Sequence, residues 1–449
     1  MTVALLDRVE PAIAPWARNR SERLLFHQLY ETLIRIDCAG NVFPALAESW
    51  RSSDGGRHWR FELGSGVRFW DGAPLTATDV KRSWMQFALD RTAVSSVLDS
   101  VVAEGNRIVH VFLSRAHTGV PRELSSLEFA VMKEPADSPW PVGSGPYEIV
   151  EMEQLAPAAG NRRFLLRSID GAAPRVLRFL ESPAADARDV IRDGIDMMVT
   201  SDHAVLEYIG GRQNLAAVPL AWEWTYVMVV PSRAEAESRL ERAPRLSSGL
   251  LDEIARDAVR VDARGYRGPA WWDGHGEEGE RNAAPIDSPP RPGRPRAAAV
   301  APRIVYDRGD ATARALAERI VALVAGEGTG SLQSREFAAA IPALGALSTA
   351  VVAEGVAAPE LESCLRSGTE LACIIKLPRR PVDPYRASRR LFGVAPWTGG
   401  GTDGFIATLV PLIDVRAHLV IRPGRFGAAV DWYGDISIVS GRFPGGEPE

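Results

Sequence analysis

"LLFHQLYETLIRIDCAGNVFPALAESWRSSDGGRHWRFELGSGVRFWDGAPLTATDVKRSW", running from Leu24 to Trp84, holds the densest local signals in the chain. Leu25, Leu29 and Leu33 recur at four-residue spacing, and Ser21 stands ahead of them as a candidate N-cap, so a helix is expected there. Trp59, Phe61 and Leu63 alternate with polar residues, the period of a half-buried strand. Thr76-Ala77-Thr78-Asp79 has the form of a capping box, with Leu75 placed to staple onto Val80 across it. Val80, Trp84, Phe87 and Ala88 then supply one apolar helical face.

Outward from this stretch the signals thin. Residues 268–302 carry seven prolines and few aliphatic side chains, which reads as a long surface loop or extended connection. Ile304, Val305 and Tyr306 suggest a strand, and Asp310 can cap a helix with Leu316, Ile320, Leu323 and Val324 on one face. Strand followed by capped helix implies an α/β lobe. Ala372 to Leu377 and Leu409 to Ile413 read as further buried strands, and no repeat of 20 to 50 residues is apparent.

At 449 residues the chain is long enough for two or three cores, and 46% hydrophobic with 24% charged residues is a globular composition. Acidic residues (57) outnumber basic ones (52) for a net charge of −5, which argues against a dedicated nucleic-acid binder. Only Lys81, Lys133 and Lys376 are lysines, so 49 of the 52 cations are arginine. Three cysteines (Cys38, Cys364, Cys373) with no C-x-x-C spacing point to buried free thiols rather than a disulfide framework or a zinc ribbon, although Cys364 and Cys373 could pair. Val3 to Leu6 is too short for the apolar region of a secretory leader, and no stretch is long and apolar enough to span a bilayer.

Searches for catalytic chemistry return little. The seven histidines are dispersed with no metal-binding spacing, so no metal and no cofactor are expected. "GSGPY" at Gly143 to Tyr147 is not a nucleophile elbow and reads as a turn needing glycine flexibility. "GGGTDG" at Gly399 to Gly404 lacks the flanking strand and helix of a dinucleotide site and reads as a loop. No nucleophile, base and orienting group converge, so an enzyme is not expected. Twelve tryptophans are more informative. Several flank irregular segments, where an indole can close over an organic ligand or pack between lobes.

Read together, the first half resembles the extracellular solute-binding proteins of family 5, the oligopeptide, dipeptide and nickel-type receptors of ABC importers. The carriers are "YETL", "PALAESW", the strand pair and "GVRFWDGAPLTATDV" within Leu24–Trp84, followed by "PVGSGPYEIVE" at Pro141 to Glu151. Fainter echoes follow in "WTYVMVV" (Trp224 to Val230), "IARDAVRVDARGY" (Ile254 to Tyr266) and "LVPLIDVRAHLVIRPGRFGAAVDWYGD" (Leu409 to Asp435).

The resemblance implies an α/β fold of the two-lobed periplasmic-binding-protein type, with crossing strands at a hinge and an extra β-rich subdomain. Lobe I would comprise 1–36, 146–240 and 408–449, the subdomain 37–145, and lobe II 241–407. The resemblance also implies a monomer that captures a peptide-like or other small organic ligand between the lobes by hinge closure and hands it to ABC permease subunits. Such a protein would be periplasmic or at the cell surface if a leader has been removed, and cytoplasmic if Met1 is the native start. In the second case it would be a relative repurposed for ligand sensing or a biosynthetic step. The expected ligand-binding residues are Tyr30, Glu31, Trp222, Trp224, Tyr226, Arg379, Arg380, Asp383, Tyr385 and Trp397. In peptide-binding members an acid anchors the ligand's ammonium; the matching stretch here, Ile374 to Arg386, places Arg380 at that position. A cation there would favour a carboxylate or phosphate, unless Arg380 is a solvated loop residue in a shifted alignment.

Overall fold

The computed structural model describes residues 1–86, 97–134, 138–156, 160–171, 174–183, 185–232, 248–256, 266–267, 302–325, 351–367, 370–378, 406–423 and 427–439. The chain is mixed α/β and divides into two compact units, Met1–Ala221 with Ala417–Glu449, and Trp222–Arg416. The Pro-rich stretch, the "GGGTDG" loop, and Phe87 and Ala88 of the second helix lie outside the described residues.

The first unit is organised around strand β1 (Thr2–Leu5), which pairs in parallel with β8 (Val176–Glu181) and with β9 (Met197–Thr200). Its near-continuous apolar sequence suits a strand covered on both faces. Val3 and Leu5 enter one core, and Ala4 enters another beneath helices α3 (Ala187–Arg192) and α4 (His203–Gly210). Two antiparallel strands, β6 (Tyr147–Ala156) and β7 (Asn161–Ser168), extend the sheet beyond β8.

Helix α1 (Arg20–Leu29) covers the first core. Its cap is Asn19, whose side-chain oxygen accepts from the Glu22 amide at 2.9 Å, two residues earlier than the expected Ser21. Ser21 instead points its hydroxyl at Asp7, 3.0 Å away. The helix ends before Leu33, which packs in a neighbouring core. Against α1 lies a C-terminal hairpin, β15 (Gly427–Val430) and β16 (Ile436–Val439). Gln28 donates to the Ile436 carbonyl and accepts from the Ile438 amide at 3.0 Å, and Arg23 grips Asp435 through two nitrogens at 2.8 and 2.9 Å.

Within the same unit, a separate core lies under four antiparallel strands in the order β2 (Ala47–Ser53), β3 (His58–Leu63), β5 (Ile108–Leu113), β4 (Leu98–Glu104). The alternation read at Trp59, Phe61 and Leu63 is realised, with all three buried in this core. Helix α2 (Ala77–Gln86) packs on it through Val80 and Trp84. The expected box forms in altered hand. Both the Thr76 amide and its hydroxyl donate to Asp79, at 2.8 and 2.6 Å, so the acid does the capping. On the outward face His58 Nε2 meets His110 Nδ1 at 2.9 Å and His110 Nε2 meets Glu104 at 2.7 Å, a pairing across strands that dispersal along the sequence conceals.

The second unit is a three-layer α/β body. Strand β10 (Ala216–Ser232) pairs antiparallel with β13 (Ala372–Pro378), which lies parallel to β11 (Arg303–Asp307), itself parallel to β12 (Val352–Val356). Tyr226, Met228, Ile304, Tyr306 and Ile374 face helices α5 (Ser248–Ala255) and α6 (Ala311–Ala325). Val227, Val229, Val305, Cys373 and Ile375 face helix α7 (Ala358–Ser367). Cys364 and Cys373 are buried here and form no disulfide, whereas Cys38 is exposed, against the expectation of three buried thiols. Strands β10 and β14 (Ile406–Ile421) both run from one unit into the other.

Candidate functional site

The carboxyl ends of the parallel strands β11 and β13 carry the described side chains best suited to a ligand, the position at which open α/β sheets hold theirs. Trp222, Trp224 and Tyr226 follow at every second position of β10 and so share a face. Tyr226 stands opposite Lys376 in the register. Its hydroxyl lies 2.9 and 2.8 Å from the two oxygens of Asp310, which also caps α6 by accepting from the Ala313 amide at 2.9 Å. Lys376 reaches the same carboxylate at 3.4 Å while its ammonium lies 5.7 Å from the Trp224 ring centroid. On the other flank the Arg416 guanidinium sits 4.5 Å from the Trp222 centroid. Two cations thus lie over two indoles on one face, within the cation–π range. Thr225, on the opposite face, donates to the fully buried Asp414 at 2.6 Å and belongs to the interior.

The expected residues therefore part company. Trp222, Trp224 and Tyr226 come together in the second unit, whereas Tyr30 and Glu31 lie in the first. Tyr30 is 2% exposed, donates to the Pro141 carbonyl at 3.0 Å and packs against Phe26 and Trp70. Glu31 follows it on a short bridge to Val131, and burial pushes its carboxyl up to about 7 against the pull of Arg35. Arg379, Arg380, Asp383, Tyr385 and Trp397 lie outside the described residues. Asp310, Lys376 and Arg416 were not singled out as site residues. Lys376 carries one signal, being one of three lysines among 52 cations, and the sequence around Asp310 has the signature of a cap only.

"GSGPY" braces this part of the first unit, for a different reason from the one its sequence suggests. Neither Gly143 nor Gly145 has positive φ. A Cβ on Gly143 would stand 2.1 Å from the Leu29 carbonyl oxygen and one on Gly145 2.5 Å from the Leu29 carbonyl carbon, so close backbone approach demands glycine. Ser144 between them donates to the Val131 carbonyl at 2.7 Å and accepts from the Glu31 amide at 3.3 Å, fixing Glu31. Among the described residues no group of three or more His, Cys, Asp or Glu is placed to hold a metal, and no helix is long and apolar enough to cross a membrane.

Residues 41–156 match the family described as bacterial extracellular solute-binding proteins, family 5 Middle. Among curated relatives, the Probable deoxycholate-binding periplasmic protein YgiS of Escherichia coli (strain K12) is 43% identical over 65 residues, 14% of this chain and 12% of the relative. The HTH-type transcriptional regulator SgrR of Photorhabdus laumondii is 28% identical over 139 residues, 30% of this chain and 25% of the relative. By sequence, then, the chain spans no more than a quarter of either protein. Fold similarity reaches further. NikA from Brucella suis, solved with Fe(III)-EDTA, superposes with a TM-score of 0.65 at 16% identity, covering 98% of this chain and 99% of NikA. MoaA from A. tumefaciens R10, solved with mannopinic acid, gives 0.63 at 14% identity, covering 98% of both chains. Residues 41–156 thus match the family 5 model, and the chain as a whole shares the fold of NikA and MoaA.

Proposed function

We propose that this protein is a solute receptor of an ABC importer, a monomer that captures a small organic ligand and delivers it to permease subunits outside the cytoplasm. The observation that carries the reading is the family 5 segment at 41–156 within a chain that follows the fold of such receptors over 98% of its length. One of the relatives, YgiS, is described as a binding protein. The aromatic and charged edge formed by Trp222, Trp224, Tyr226, Lys376 and Asp310 supplies contacts of the kind a captured solute needs. Tyr30, Glu31, Arg379, Arg380, Asp383, Tyr385 and Trp397 are also proposed as ligand-binding residues, on the resemblance to the family.

A thermal-shift screen of the purified chain against peptides, N-acylated peptides, glycosides, bile acids and organic acids tests the reading, because a ligand bound only by the folded state raises the melting temperature. At least one class should raise it in a saturable manner; no shift with any class would contradict a receptor role. A second reading has its own support in the match to SgrR, a transcriptional regulator, over a longer stretch than the match to YgiS gives. In that reading the same fold senses a ligand inside the cell. An export-reporter fusion separates the two, since a receptor needs its reporter outside and a sensor keeps it inside.

A further inference from the structure

We infer that the edge of the second unit selects an anion carried on a flat apolar body, with the Lys376 ammonium recognising the charge and the Trp224 and Trp222 indoles forming the platform. The inference rests on the receptor reading above and names the class of solute.

Asp310 is the acid of this edge. Its side chain is 13% exposed, and its oxygens already serve the Tyr226 hydroxyl, the Ala313 amide and Lys376. A carboxylate so occupied is a positioning residue; it has little capacity left for the ammonium of a ligand. Lys376 is in the opposite condition. Its side chain is 51% exposed, and among the described residues its one ion pair, to Asp310, leaves donors of its three-donor ammonium for another acceptor. Asp310 and the Trp224 face fix where that ammonium stands, so the charge offered to a ligand is positive and placed.

The surroundings agree. Arg416 over Trp222 adds a second cation on the same face, whereas Glu223 lies between the two tryptophans in sequence and alternation sends it to the other face. An incoming ammonium would meet the Lys376 charge here, and an incoming carboxylate would form a charge-assisted hydrogen bond with it. Both indoles are half-buried, leaving flat apolar surface beside the cations. A lysine at this place is also telling in a chain with 49 arginines. A compact ammonium with rotatable donors accepts an anion from many directions, while a guanidinium demands the planar fork.

The test is calorimetric titration of the full chain with matched sets that share an apolar body and differ in one group: 2-naphthoate, 2-naphthamide and 2-naphthylmethylamine, then deoxycholate and its neutral amide. The acid of a set should bind about ten-fold or more tighter than its amide and amine, as expected for one charge-assisted hydrogen bond. Lys376→Met should bring the acid down to the level of the amide while the unliganded variant still unfolds in one cooperative transition, and Lys376→Glu should turn the preference toward the amine. Amide or amine binding as tight as the acid, or acid affinity within about two-fold of wild type in Lys376→Met, would overturn the anion inference and leave the receptor reading standing. Failure of every acid to bind, while the broad screen finds a ligand of another class, would also overturn it. Failure of every compound in both experiments would remove the receptor reading itself.

Discussion

Arg23 with Asp435 in the first unit and Lys376 with Asp310 in the second use the same chemistry in opposite settings. Asp435 is 3% exposed and is held by two guanidinium nitrogens at 2.8 and 2.9 Å. Lys376 meets Asp310 through one contact at 3.4 Å with half its side chain in solvent. The first pair joins α1 to a hairpin more than 400 positions away in sequence, and its loss leaves a charge in the interior. The second pair positions an ammonium that still faces outward. Burial and bidentate geometry make a clasp; exposure and single contact make a recognition point.

The contrast is easiest to break at Arg23. Arg23→Ala leaves Asp435 buried and ionised without its partner and should cost about 3–5 kcal/mol in urea unfolding near neutral pH. Asp435→Asn should cost less, because the half-exposed Arg23 can turn to water. The pair also carries a pH signature. Burial opposes ionisation of Asp435, but Arg23 and then His27 outweigh it and hold the carboxyl below the usual range. Its contribution is therefore present above the unfolded value of ~3.9 and is lost as pH falls through the lowered folded value. Asp431, across the turn, runs the other way: burial and the neighbouring Asp435 raise its carboxyl. Folding takes up a proton there, so its contribution is present in acid and lost as pH rises. Asp431→Asn, which keeps the acceptor for the Tyr433 and Asp435 amides, should be more stable than wild type near neutral pH, with the gap closing in acid.

Glu31 sharpens the comparison as a half-buried carboxyl with no strong clasp. Its value of about 7 means that stability declines as pH rises from the unfolded ~4.3 through neutrality. Glu31→Gln should flatten that slope and gain about 1–2 kcal/mol in mildly alkaline solution, read from melts across the pH range. The smallest effect on stability belongs to Lys376→Met, at about 0–1 kcal/mol for an exposed pair. A cost as large as that of Arg23→Ala would mean the two pairs do the same job and would dissolve the distinction between clasp and recognition point.

How much of this the sequence disclosed follows from how local each feature is. Trp59, Phe61 and Leu63, the box at Thr76–Asp79, and the strand and cap at Ile304–Asp310 depend on neighbours within a turn or a pleat, and all were readable. The α1 cap was misplaced by two residues because Ser21 and Asn19 are both good caps, and only Asp7, fourteen positions back, diverts the serine. The glycines of "GSGPY" were legible as necessary but not for their reason, since the Leu29 backbone that excludes a Cβ is distant in sequence. At the candidate site the aromatic half was visible because Trp222, Trp224 and Tyr226 are consecutive on one strand face. The charged half was not. Asp310, Lys376 and Arg416 come from three separate elements, and only the pairing of β10, β11 and β13 gathers Tyr226, Asp310 and Lys376.

The central claim, a solute receptor whose ligand contacts the indole edge of the second unit, is tested most directly by tryptophan fluorescence. Wild type and Trp224→Ala would be titrated with whichever compound gives the largest thermal shift in the broad screen. The account predicts a saturable one-site change in wild type and an affinity weakened about ten-fold or more in Trp224→Ala, measured where the unliganded variant is still fully folded. Saturable binding of equal affinity in both proteins would contradict it.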